Sequence, residues 1–352
     1  MGAVGLGCWQ LGADWGEVDE GDALAVLHAA ADEGVTFFDT ADVYGDGRSE
    51  RLVGRFLRER GDAGLAVATK MGRRVEQVPE NYTRANFLAW NDRSRRNLGV
   101  DTLDLVQLHC PPTPVYSTDA VFDALDELVD TDRVAAYGVS VETVDEALTA
   151  IVRPNVASVQ IIVNAFRQKP LERVLPAAQE AGIAVIARVP LASGLLSGRY
   201  TATTTFALDD HRSYNRHGEA FDVGETFAGV PYDVGLAAVE RLRPLVPGGV
   251  AMARFALRWV LDQPVTVVIP GARSPGAGPR QRRCGGTGPA VRRGPRRGAG
   301  GLRRAGRPAR TQSVVMARNG PVKTPRCAIG QRPDRYRRGA THPLVTDGGP
   351  PP

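Results

Sequence analysis

Asp39, Tyr44, Lys70 and His109 each close or follow an apolar run, and together their side chains can deliver and steer one proton. The runs are Phe37-Phe38-Asp39-Thr40-Ala41-Asp42-Val43-Tyr44-Gly45, Leu65-Ala66-Val67-Ala68-Thr69-Lys70 and Leu105-Val106-Gln107-Leu108-His109. A tyrosine hydroxyl is a poor acid near neutral pH. Protonating a developing alkoxide from it requires a nearby cation that favours the phenolate left behind. Lys70 supplies that cation, Asp39 holds and polarises the ammonium, and His109 hydrogen-bonds a carbonyl oxygen and fixes its orientation towards Tyr44. No side chain delivers hydride, so a cofactor must supply it and the protein's task is to aim it. Taken singly, each residue has an ordinary reading: a helix cap, a core tyrosine, a surface lysine, a histidine satisfied by a backbone carbonyl. Their joint placement on successive strand ends is what argues for chemistry.

The elements that must position them alternate. Short β-rich runs lie near Val4–Gly7, Val35–Phe38, Leu65–Thr69, Leu105–Leu108, Val134–Val139, Ser158–Ile162, Ile183–Ala187 and Val265–Ile269. Between them, helical periodicity runs over Asp19–Glu33, with Leu24, Leu27 and Ala31 on one face, and over Ser49–Arg60. Gly34, Gly61 and Gly182 follow helices as C-terminal stops. Eight strand-helix units predict an α/β fold, a (β/α)8 barrel whose active site lies at the C-terminal ends of its strands, where the four residues fall. A doubly wound sheet is the competing architecture, but its GxGxxG loop is missing after the first strand. Residues 188–233 form the longest connection, a candidate lid or cofactor strap.

At 352 residues and 43% hydrophobic, the chain can bury one large core or two ordinary ones. It has no run of eighteen apolar residues and no basic region leading into an apolar segment after Met1, so a soluble, cytoplasmic protein away from membranes is expected. Cys8, Cys110, Cys284 and Cys327 are scattered and form no CxxC pair, which argues for free thiols and against a zinc site. His211 and His217 have no ligand-like spacing, so no metal is expected there either. The formal charge of +5 hides an asymmetry: 17 Arg, one Lys and two Asp give residues 276–352 a charge of +16, leaving −11 for residues 1–275.

Phe38-Asp39-Thr40-Ala41-x-x-Tyr44-Gly45, Thr69-Lys70 and Leu108-His109 resemble the signature of the aldo-keto reductases, NADPH-dependent (β/α)8 barrels that reduce aldehydes and ketones. The resemblance spans roughly residues 4–275 and implies a catalytic tetrad of Tyr44 as acid, Lys70 and Asp39 as its tuners and His109 as orienter. It further implies an NADPH/NADP+ shell. Ser140, in Gly138-Val139-Ser140, and Gln160 would meet the nicotinamide carboxamide. Val141 stands where the family often has an Asn. Asn164 is a weaker candidate, and Tyr214 lies too far along the chain to be the stacking ring. Pro190, Leu191, Ser193, Gly194, Leu195 and Ser197 lie in a segment resembling the pyrophosphate strap. Gly271 and Arg273 lie after the eighth strand, where Arg273 either pairs with the 2′-phosphate or is an ordinary surface arginine. Trp9 either lines the substrate pocket or packs the barrel mouth.

Both ends depart from the family pattern. Its N-terminal hairpin is missing before the first strand, which predicts less cover for apolar side chains on the barrel floor. The barrel unit is expected over residues 1–275 and a basic tail over 276–352, where Gly and Pro fill 26 of 77 positions and no periodicity survives. Read one nucleotide later with suitable codons, Gly276–Gln281 can encode Glu-Gln-Ala-Arg-Ala-Asn, resembling the family's missing adenosine-gripping segment, so a frameshift is one explanation. A barrel with weakened cofactor binding is then the alternative function. Nucleic-acid binding by the tail is disfavoured, because Tyr336 is its only aromatic residue.

Overall fold

Strand propensity and turn chemistry place eight short parallel strands in chain order around a single sheet. The computed structural model describes residues 3–274 apart from 13, 14, 17, 62 and 63. The expected tail and its frameshift lie outside the described residues. The strands are β1 (Leu6–Gly7), β2 (Phe37–Asp39), β3 (Ala66–Met71), β4 (Leu105–His109), β5 (Tyr137–Ser140), β6 (Val156–Ile162), β7 (Ala184–Arg188) and β8 (Val267–Val268). The ring closes where Val4 and Gly7 bridge Val268 and Gly271 in parallel, with Gly5 N donating to Val268 O at 2.9 Å and Gly7 N to Pro270 O at 3.0 Å. The fold is thus the (β/α)8 barrel that the alternation predicts, with its first and last strands the shortest.

The helices follow from local signals. Helix α1 (Trp9–Gly12) is one turn. Helix α2 (Glu20–Asp32) begins after Asp19, whose carboxylate accepts from the N–H groups of Gly21 and Asp22. Helix α3 (Arg48–Arg60) and helix α4 (Arg84–Leu98) end on the left-handed glycines Gly61 and Gly99. Helix α5 (Asp119–Asp130) precedes α6 (Val144–Ile151), which opens with a reciprocal capping box between Thr143 and Glu146. Helix α7 (Pro170–Ala181) ends at left-handed Gly182, α8 (His211–Tyr214) is one turn, and α9 (Tyr232–Leu242) and α10 (Met252–Leu261) complete the wall. Among the described residues no helix is long and apolar enough to cross a membrane.

One strand is shifted from its expected place. Val134 makes only an isolated bridge to Leu103, and the ladder proper starts at Tyr137, where the β5–β6 register slips between Tyr137 and Gly138. The slip carries Gly138 close against β6: a Cβ there would stand 2.2 Å from Ser158 Oγ and 2.5 Å from Ser158 O. Inside the barrel, Phe37, Ala66, Ala68, Leu105, Ala136, Ile186, Val267 and Ile269 form a compact apolar cluster and all are buried. Within this cluster the expected loss of cover is not seen. Above it, towards the C-terminal strand ends, the interior turns polar.

Candidate active site

That change is a consequence of strand alternation, because residues two apart point to the same side of the sheet. Asp39 ends β2, Lys70 lies one residue from the end of β3, Gln107 and His109 lie two apart on β4, and Ser158 and Gln160 lie two apart on β6. The register aligns Lys70 with Gln107, Gln107 with Gly138, and His109 with Ser140 and then Gln160. A polar layer results, buried at the barrel mouth.

Lys70 is the centre of that layer. Its Nζ donates to Asp39 Oδ1, to Thr40 O at 2.9 Å and to Tyr44 Oη at 3.5 Å, which accounts for all three ammonium hydrogens. Asp39 is satisfied on its other oxygen, where Gln160 Nε2 donates at 2.8 Å and Gln107 Nε2 at 3.3 Å. Burial opposes the charge on Lys70, but Asp39 and then Tyr44 outweigh it and hold its pKa above the ordinary value. The pKa of Tyr44 is pushed up to about 12 by burial, against the pull of Lys70. The Tyr44 phenol is therefore protonated at neutral pH.

Tyr44 is placed by the turn after β2 and by α1. Gly12 makes this approach possible, since a Cβ on it would stand 2.7 Å from the Tyr44 backbone carbon. The ring of His109 meets the Tyr44 ring edge-on, with centroids 5.8 Å apart. Its Nδ1 is buried without a partner. Burial first, and then Arg73, Lys70 and Arg188, hold the His109 pKa well below the ordinary histidine value, so the imidazole is neutral. A neutral imidazole and a protonated phenol set side by side can both address one carbonyl oxygen.

All four tetrad residues expected from the sequence are therefore brought together. Trp9 lies over the site: it stacks on the Tyr44 ring at 5.9 Å and packs on His211 at 4.7 Å and Phe221 at 5.9 Å. Tyr214 packs edge-on against Phe221, with ring centroids 6.2 Å apart. Asn164 is used in a turn, donating to Val189 O at 2.9 Å and accepting from the N–H groups of Phe166 and Arg167. Ser140 Oγ accepts from Cys110 Sγ at 3.4 Å.

The connection after β7 is built on strained backbone. Val189, Ala192 and Ser193 have φ of 49°, 47° and 50°, and Gly194 follows at 97°. Within it the N–H groups of Ala192 and Gly194 donate to Val189 O at 3.0 Å and to Leu191 O at 2.9 Å, which closes the turn on itself. A Cβ on Gly194 would lie 2.2 Å from Tyr200 Oη. Ser193 Oγ donates to Glu225 O at 2.9 Å and accepts from Phe227 N at 3.1 Å, so its hydroxyl stitches the two halves of the connection together. Pro190 and Leu195 are buried, Leu191 is half-buried, and Ser197 Oγ accepts from Arg199 N at 3.3 Å. Gly271 lies against Gln10, where a Cβ would be 2.0 Å from its Oε1, and Arg273 is exposed at the rim beside Gly16.

The sequence reading missed a second buried charge cluster beside the tetrad. Arg188 Nη2 lies 2.9 Å from Glu142 Oε2 and Arg188 Nη1 lies 2.7 Å from Glu225 Oε2. Arg73 completes the ring, with Nη2 3.0 Å from Glu142 Oε1 and Nη1 3.6 Å from Glu225 Oε1. Strand alternation gave one signal, since Arg188 shares its face with Ile186; nothing local announces Glu225. Cys110, Glu142 and Glu225 bring their ligand atoms within 4.8 Å of one another. They do not suit a cation: two guanidinium groups already neutralise the carboxylates. The Cys110 thiol is pushed up to about 12, chiefly by burial and then by Glu142, so it stays protonated.

Comparison with known proteins agrees with this geometry. The family model described as "Aldo/keto reductase family" matches residues 3–277. Aldo-keto reductase YhdN of Bacillus subtilis is 31% identical over 280 residues, covering 78% of this chain and 82% of that protein. The glycerol dehydrogenase AKR11B4 of Gluconobacter oxydans has the same fold at a TM-score of 0.64 and 32% identity, over 80% of this chain and 86% of that one. Aldo-keto reductase AKR11C1 of Bacillus halodurans, in its holo form, matches at a TM-score of 0.65 and 27% identity, over 82% and 87%. With the tetrad assembled at the strand ends, the chain belongs to the aldo/keto reductase family and is an oxidoreductase.

Proposed function

We propose that the chain reduces an aldehyde or ketone to an alcohol with NADPH, Tyr44 donating the proton. One observation carries this reading: a single buried ammonium, that of Lys70, is shared between Asp39, Thr40 O and the Tyr44 hydroxyl. NADPH, when bound, supplies the hydride. The carbonyl oxygen is received between Tyr44 Oη and the imidazole of His109. As charge develops on that oxygen Tyr44 gives up its proton, and the phenolate is stabilised by Lys70, whose position Asp39 fixes with the help of Gln107 and Gln160.

The residues present suit the cofactor. The segment of Pro190, Leu191, Ser193, Gly194, Leu195 and Ser197 resembles a pyrophosphate strap, and with the Ala192 and Gly194 amides committed to Val189 O and Leu191 O the Ser193 N–H is the one we assign to the phosphate. Ser140 and Gln160 face the carboxamide end. The amide nitrogen of Gln160 is committed to Asp39, so its contact to a cofactor is through the oxygen. Gly271 and exposed Arg273 take the adenosine end, Arg273 through charge-assisted bonds to a 2′-phosphate. A relative in Schizosaccharomyces pombe, 28% identical over 284 residues, carries NADP(+) in its name. Trp9 walls the substrate pocket, and a small carbonyl compound is the partner we assign. The reductase unit is residues 1–275, which agrees with a family match that ends at residue 277. Residues 276–352 are then a separate basic tail. A cytoplasmic setting suits the two buried free thiols Cys8 and Cys110.

The test is NADPH consumption with a generic aromatic aldehyde, alongside fluorescence titration of the cofactor. Turnover that disappears in Tyr44→Phe supports the reading. Wild-type protein that neither binds NADPH nor reduces any of a panel of aldehydes and ketones would sink it.

A further inference from the structure

We propose that Arg73 and Glu225 are positioning residues that tie the main chain of His109 to the segment 192–198, so that the carbonyl-orienting histidine and the strap hold each other in place. The proposal rests on the reductase reading above for what the two ends do, and on geometry alone for the link itself. At one end, the His109 carbonyl accepts from Arg73 Nε at 3.2 Å and from Gln77 Nε2 at 3.3 Å, and Gln77 also donates to Cys110 O at 2.9 Å. The clamp is needed because the chain turns sharply there: Cys110 sits at φ 48°, a conformation a residue with a side chain rarely adopts unless its neighbours impose it.

The same Arg73 guanidinium reaches the Glu142 and Glu225 carboxylates, and Arg188 grips both from the other side. Arg188 also donates to Val141 O at 3.1 Å, pinning the chain just beyond Ser140. At the far end, the backbone carbonyl of Glu225 accepts from Ser193 Oγ, and Phe227 N donates to that same oxygen of Ser193. The path is short and polar throughout: His109 carbonyl, Arg73, Glu225, Ser193. The ring carries two positive and two negative groups in alternation. Loss of one member therefore leaves a buried charge without its partner, and the remaining groups must shift. A network with so few satisfactory arrangements transmits displacement from one end to the other.

Three variants test the link in the full-length chain: Arg73→Met, which keeps volume without charge, Glu225→Gln, and Ser193→Ala. Backbone hydrogen exchange reads the link without cofactor. Exchange of the 192–198 amides is expected to rise about tenfold in Arg73→Met and Glu225→Gln while β4 and β6 amides stay protected. With cofactor, NADPH Kd should rise roughly two- to thirtyfold in Arg73→Met. The Arg73→Met/Ser193→Ala double variant should lose less than the product of the single losses. At saturating NADPH, kcat should fall in Arg73→Met although Arg73 touches neither reacting atom. Unchanged exchange and unchanged NADPH Kd in Arg73→Met overturn the link while leaving the reductase reading intact. Faster exchange in a chain whose wild type binds no NADPH supports the link and sinks the reductase reading instead.

Discussion

Two buried charge clusters stand side by side at the barrel mouth, and they are built differently. In the tetrad the charges of Asp39 and Lys70 sit on strands, and every hydrogen-bonding site of the pair that the geometry requires is met, by Thr40, Tyr44, Gln107 and Gln160. In the ring of Arg73, Glu142, Arg188 and Glu225, only Arg188 lies on a strand, and its Nε is buried without a hydrogen bond. Both clusters are formally neutral when fully ionised. In the function we propose, the first holds one proton ready for transfer and the second holds backbone in place. A strand-borne cluster inherits its precision from the ladder register, whereas a loop-borne one must create its own through paired charges.

Breaking the tetrad should have the largest consequence. Lys70→Met removes the cation that stabilises the Tyr44 phenolate and leaves Asp39 unpaired. Steady-state kinetics should show a loss of about 10²–10⁴ in kcat, the usual contribution of a positioned acid. Breaking the ring should fall mainly on stability. Arg188→Met leaves Glu142 and Glu225 facing each other, and denaturant unfolding should register a loss of about 3–5 kcal/mol. Comparable stability for Arg188→Met and wild type would mean that the ring contributes packing alone.

Acid sharpens the contrast further. His211, packed between Trp9 and Trp15, has its pKa lowered to about 3 by burial. A depressed folded-state pKa gives stability that is present above the unfolded value and lost as pH falls through the folded one. The window thus runs from about 6.5 down to about 3. Lowering pH from 7 to 5 should cost roughly 2 kcal/mol through this group, and His211→Phe should flatten that part of the profile. Least affected should be the exposed pair Arg173 and Asp145, 3.2 Å apart at the rim of the helical wall. Arg173→Ala should change stability by less than about 1 kcal/mol, which serves as the control for charges outside either cluster.

The tetrad was legible in the sequence for the reason it is precise in the structure. Each of its residues sits at or just beyond the end of an apolar run, and runs of that kind mark strand ends. Gln107 was legible in principle too, since it lies two residues before His109 and so on the same face of β4. Gln160 was found, but its commitment to Asp39 depends on a cross-barrel contact between β2 and β6 that no local pattern encodes. Of the charge ring only Arg188 was legible in principle, from its place on β7, because Arg73, Glu142 and Glu225 lie in connections whose path is set by closure of the barrel. The fifth strand was misplaced towards Val134 because Val134 begins an apolar run, whereas the register slip at Tyr137/Gly138 goes with a close β5–β6 approach that only the glycine permits.

If Lys70 holds Tyr44 as the proton donor to a carbonyl oxygen, removing the phenol hydroxyl removes the acid and leaves the cofactor site untouched. The most direct test compares wild type and Tyr44→Phe at saturating NADPH, measuring kcat for an aldehyde together with NADPH Kd by fluorescence quenching. In Tyr44→Phe kcat should fall by about 10²–10⁴ with Kd essentially unchanged. A Tyr44→Phe variant that turns over within tenfold of wild type would contradict it.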